Sequence, residues 1–110
     1  MATVTPIDEL RRSETASLFE GGDEIGASIF VTEYPERGQG PELHWHPYPE
    51  VFVVQDGTAV FTAGDEELTV PAGNIVVVPA ETVHGFKSAG DDTLRVVSVH
   101  PRGKIEQTWV

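Results

Sequence analysis

"GPELHWHPYPEVFVV", residues Gly40 to Val54, holds two histidines one residue apart and a glutamate four residues after the second, with two prolines between them. Conformation decides whether these side chains can meet. On a helix, His44 and His46 would point about 200° apart. Pro47 and Pro49 oppose a helix here, because each lacks a donor and restricts the residue before it. On a strand, side chains two apart face the same side, with Cα atoms roughly 7 Å apart, so both imidazoles can reach one ion at about 2.1 Å. Trp45 then points the other way. In the following strand Glu50 leads an apolar row that continues through Phe52 and Val54. A buried carboxylate is expensive unless it is paired or coordinates something.

A fourth candidate lies in "VVVPAETVHGF", where His84 shares a face with Phe86. A set of three imidazoles and one carboxylate suits one divalent ion of iron, manganese, nickel, copper or zinc, with no ranking among them. Against this stands the plainer alternative of polar strand residues that bind nothing.

Working outward, the chain reads as all-β. Short runs rich in Val, Ile, Phe and Thr recur at 15-20, 27-34, 42-46, 50-55, 58-63, 67-70, 75-79, 83-87 and 94-100. Turn-forming residues separate them, and the pattern predicts an antiparallel sandwich or barrel with little helix. "QDGT" at 55-58 reads as an Asp-Gly hairpin turn, "AGDE" at 63-66 as a second reversal, and "PAGN" at 71-74 as a turn into the next strand. "PIDELRRSE" is expected to form one helical turn.

The 110 residues suffice for one domain, and a net charge of -11 disfavours nucleic acid and anionic membrane surfaces as partners. There is no cysteine, hence neither disulfide nor thiolate chemistry. No stretch approaches the length of a membrane span and the first residues lack an apolar leader-like run, so a cytoplasmic location is expected. The chain carries no Gly-rich phosphate loop and no arrangement resembling a nucleophile triad.

These residues resemble the cupin superfamily. Its first motif, G-x5-H-x-H-x3,4-E-x6-G, is met by Gly38, His44, His46, Glu50 and Gly57; its second is met by Gly73, Pro79 and His84. The second motif departs at Glu81, where the family has Gly, and at Ser88, where it has Asn. The likeness spans roughly residues 26-100. It implies a small antiparallel β-barrel or jelly roll around a three-His-one-Glu metal site, and a homodimer formed through the N-terminal strands. On that basis residues 1-25 form an arm and strand of the dimer contact, 26-100 the barrel, and 101-110 a tail on the barrel.

Several further residues carry expectations. His100, at the end of the last long strand, reads as an exposed strand-end residue, with a general acid or base at the barrel mouth as the alternative. Tyr34 is a second candidate acid or base, and otherwise core. Phe52, Val54, Phe61 and Phe86 are candidates to line the pocket with the ligands. Lys87 should point outward. Trp45 should expose apolar surface unless a partner covers it, and Trp109 should pack likewise.

The function implied is a metal-dependent enzyme acting on a small organic molecule, with dioxygenase-, isomerase- or lyase-type chemistry. The alternative is a non-catalytic small-ligand binder or sensor with the metal as anchor, and a barrel that binds nothing ranks third.

Overall fold

The computed structural model describes residues 1-110. After a 3-10 turn at Ile7–Leu10, ten strands follow: β1 Ala16–Glu20, β2 Ser28–Tyr34, β3 His44–Trp45, β4 Glu50–Asp56, β5 Thr58–Ala63, β6 Glu66–Pro71, β7 Asn74–Val78, β8 His84–Ser88, β9 Leu94–His100 and β10 Thr108–Trp109. One short helix, α1 Gly22–Ile25, ends at Gly26 in the left-handed region. Two five-stranded antiparallel sheets result, in the orders β1-β2-β9-β4-β7 and β10-β3-β8-β5-β6. This is the jelly-roll arrangement that the strand pattern predicts.

Alternation along the strands builds the core. Phe52, Val54, Val76, Val78, Leu94 and Val96 of the first sheet meet Ala59, Phe61, Val70 and Phe86 of the second in one buried cluster. Burying each of the larger side chains contributes about 1.5–3 kcal/mol.

The "QDGT" segment is not a hairpin turn. β4 pairs with β7 and β9, while β5 pairs with β6 and β8, so the chain changes sheets at Gly57. Gly57 has φ 77°, and a Cβ there would come within 2.8 Å of the Thr93 carbonyl oxygen. Only glycine suits such a corner, whose short Asp-Gly signal looks the same in sequence as a hairpin. "AGDE" does join paired strands, with Ala63 opposite Glu66.

The outer face of the first sheet is unusual. Phe19, Ile29, Val99, Val51 and Val77 stand in one cross-strand row, and Val31, Val97, Val53 and Ile75 in the next. Phe19, Ile75 and Val77 are exposed, and the remaining members of both rows are half-buried. The sheet is therefore apolar on both faces.

Candidate metal centre

The site forms where β3, β4 and β8 end together. His44 and His84 are Cα partners across the β3–β8 ladder. His46 follows β3 directly, and Glu50 opens β4. His44, His46, Glu50 and His84 are all buried, and one ligand atom from each lies within 4.8 Å of the others. The Nε2 atoms of His46 and His84 lie 2.9 and 3.2 Å from Glu50 Oε1.

Proton placement shows what this cluster needs. His44 Nδ1 lies 2.8 Å from the Glu42 carbonyl, His84 Nδ1 2.7 Å from that of Thr82, and His46 Nδ1 2.5 Å from that of Tyr48. A carbonyl only accepts, so each Nδ1 carries the proton, and a neutral ring then presents an Nε2 lone pair. Three lone pairs and a carboxylate thus converge on one small volume. Lone pairs at such distances repel unless a cation lies among them. Adjacent ligands about 2.1 Å from a common ion stand roughly 3 Å apart, which the 2.9 and 3.2 Å separations match. The donor set fits a divalent metal, and each Nδ1–H bond to a carbonyl fixes its ring in the ligating tautomer.

Electrostatics favour the ligating forms. Burial lowers the pKa of His44 from its ordinary 6.5, keeping the ring neutral. For Glu50, burial opposes ionisation, whereas the His100 ring on its other oxygen favours the carboxylate and holds the carboxyl below the usual range.

Beside the cluster lies a cavity of about 220 Å³. Its wall includes His44, Glu50, His100, Tyr34, Phe52 and Phe86, and it contains no Lys or Arg. Tyr34 packs edge-on against Phe86 at 5.7 Å, and burial raises its phenol pKa above 10.0. Phe52 and Phe86 face the cavity, whereas Val54 and Phe61 lie in the core and line no part of it. Phe61 is on the second sheet, where it stacks behind Phe86 at 4.9 Å.

His100 departs furthest from the expected exposed strand end. It is 1% exposed, with Nε2 2.9 Å from Glu50 Oε2 and Nδ1 2.7 Å from the Tyr48 hydroxyl. The β4–β9 register explains this, since Glu50 and His100 lie one residue beyond the Val51–Val99 pair on adjacent strands. Parity could not orient β9 from sequence, because its outer row, Val97 and Val99, is also apolar.

Tyr48 went unrecognised between its prolines. Its ring stacks on His46 at 4.4 Å with the planes 10° apart. Its neighbour Trp45 is half-buried instead of openly exposed. Trp109 turns to the cavity rim, its ring 5.0 Å from that of His44, because β10 pairs with β3. Lys87 bonds the Gly40 carbonyl at 2.7 Å and Glu42 at 2.9 Å. At the second-motif departures, Glu81 adopts φ 63°, supplying the left-handed turn itself. The Ser88 hydroxyl is buried without a partner.

The chain belongs to the cupin family: the family model described as "Cupin domain" matches residues 30–100. Among solved structures it is similar to an uncharacterized conserved protein with a double-stranded beta-helix domain from Klebsiella pneumoniae subsp. pneumoniae MGH 78578. That match has 23% identity and TM-score 0.78, covering 98% of this chain and 96% of the other. It is also similar to Lactobacillus farciminis oxalate decarboxylase in a formate complex, with 20% identity, TM-score 0.76 and coverage of 94% and 34%. An oxalate oxidase bound to the substrate analogue glycolate has 17% identity, TM-score 0.71 and coverage of 90% and 57%. At these identities the likeness speaks for the fold, and the chain spans only part of the two oxalate enzymes. No curated protein matches by sequence.

Proposed function

We propose that this cupin binds one divalent metal ion, of iron, manganese, nickel, copper or zinc, through Nε2 of His44, His46 and His84 and one oxygen of Glu50. We propose further that it is a metal-dependent enzyme for a small organic molecule. The carrying observation is the convergence of four lone-pair donors within 4.8 Å, with all three imidazole Nδ1–H groups committed to carbonyls.

When bound, such an ion supplies a Lewis-acid centre for an oxygen-bearing ligand. The chain supplies the rest. Phe52 and Phe86 keep water from the inner wall, and the neutral Tyr34 phenol offers a hydrogen bond to a substrate in the cavity. A wall without Lys or Arg, in a chain of net charge -11, favours a neutral or weakly polar substrate such as a diketone or phenol over a polyanion.

Elemental analysis of protein purified without chelator or nickel resin should find about one metal ion per chain, and alanine at His44 or His84 should remove it. Turnover or oxygen uptake with a panel of diketones, phenols and uronates is then expected. Metal and ligand binding without turnover would instead identify a non-catalytic binder.

We also propose a homodimer joined through the apolar outer face of the first sheet. Its two rows, including the exposed Ile75 and Val77, form the kind of continuous patch that marks a contact surface. Sedimentation should give twice the 11.9 kDa chain mass, and Val77→Lys should shift the protein to monomer. A monomeric wild type at high concentration would remove this reading.

A further inference from the structure

The metal reading uses one oxygen of Glu50 and leaves the other in contact with a buried imidazole that belongs to neither cupin motif. Glu50 Oε2 accepts from His100 Nε2–H at 2.9 Å. An ionised carboxylate can only accept, so this nitrogen holds a proton, and in the neutral ring Nδ1 is then an acceptor. The Tyr48 hydroxyl, 2.7 Å from Nδ1, must then donate to it. The Tyr48 oxygen in turn accepts from the Glu106 backbone N–H at 3.2 Å, and the Arg102 guanidinium lies 4.8 Å over its ring. Every bond in this chain has one direction.

Tyr48 reaches the cluster a second way. Its carbonyl receives the His46 Nδ1–H, and its ring stacks on the His46 ring. Pro47 and Pro49 on either side fix their own φ angles and limit those of the residues before them. One residue therefore orients His46 directly and Glu50 through His100.

Resting on the metal reading above, we infer that Tyr48 and His100 are positioning residues of the centre. They hold Oε2 away from the imidazoles, so that Oε1 alone faces them and Glu50 ligates through a single oxygen. Groups behind a metal ligand typically change affinity by about 10–100-fold when lost.

The test uses wild type, His100→Leu, His100→Gln and Tyr48→Phe, with zinc affinity measured by competition against a chromogenic chelator. His100→Leu should weaken zinc binding by about 10–100-fold. His100→Gln should recover most of that loss, since its amide N–H can still reach Oε2. Tyr48→Phe keeps the stack and the carbonyl and removes only the hydroxyl, so it should fall between wild type and His100→Leu. Equal losses in the Leu and Gln variants, or no loss in either, would overturn the role.

Side-chain nitrogen NMR reads the same claim without activity. With zinc, His44, His46 and His84 should carry their protons on Nδ1, and His100 alone on Nε2. A proton on His100 Nδ1 overturns the proposal whatever the metal does. Should folded wild type take up no zinc, the metal reading itself fails. The His100 proton is then read in metal-free protein, where Nε2 supports the Tyr48–His100 arrangement and Nδ1 overturns it.

Discussion

If Glu50 ligates the metal as proposed, Glu50→Gln is expected to lower affinity for a divalent cation by more than about 100-fold, since even a supporting group is worth about 10–100-fold. The metal-free fold should remain as stable as wild type or become more so. The amide oxygen still accepts from His100, which lies 2.9 Å from the present Oε2. Its NH2 can donate to the Nε2 lone pairs of His46 and His84, now 2.9 and 3.2 Å from a carboxylate oxygen. The substitution turns a cluster that needs a cation into one that satisfies itself. Metal titration beside urea unfolding of the metal-free protein checks both halves, and a large stability loss with retained affinity would contradict them.

Acid sensitivity follows from the same residues. A carboxyl held below 4.5 in the fold leaves the unfolded chain binding more protons, so its contribution is present above that pH and lost as pH falls through the folded value. His44, lowered from 6.5 by burial, acts in the same direction starting from higher pH. Metal-free wild type should therefore weaken progressively below about pH 6.5. Glu50→Gln should show a shallower decline below about pH 4.5, where the missing carboxyl would have titrated.

Phe61→Ala is expected to destabilise the protein by about 3–5 kcal/mol, the range for emptying a buried aromatic site. Phe61 is fully buried, stacked on Phe86 at 4.9 Å and edge-on to Phe52 at 5.0 Å. Against a typical total of about 5–15 kcal/mol this is a large fraction, and the melting temperature should fall by at least about 12 °C. Because Phe52 and Phe86 also face the cavity, the void would lie directly behind its wall. A loss below about 1.5 kcal/mol would mean that both rings collapse into the space, since cavity penalties depend on how well a site can relax.

The local parts of this structure were legible in the sequence because their causes are local. Alternating β-branched and aromatic residues marked nine strands to within a residue or two, apart from the shorter β3. The prolines excluded a helix through the His-x-His segment, and parity brought His44 and His46 to one side. What stayed hidden depends on which strands become neighbours. The burial of His100 follows from the pairing of β4 with β9, and β10 exists only because the tail finds β3. Gly57 carries a hairpin signal yet joins two sheets, a distinction set by the strands around it. Tyr48 carries no signal in the sequence, because its contacts with His46 and His100 involve groups that the fold assembles around it. The short α1 offered too few residues for any periodicity.

The strand order also bears on how this chain reaches its native state. β9, among the last segments in sequence, lies at the centre of its sheet and joins the β1–β2 pair to the β4–β7 pair. Until residues 94–100 are available, those two pairs have no ladder connecting them. Closing such distant pairings makes folding slow compared with helical domains of this size, on the order of milliseconds to seconds. During translation, the strands made first must wait with hydrocarbon on both faces. His100 ends that same strand, so the support behind Glu50 arrives with the piece that closes the sheet. Cation binding is thus expected to appear at the final step of folding, and cupin released from the ribosome before residue 100 should be prone to aggregation.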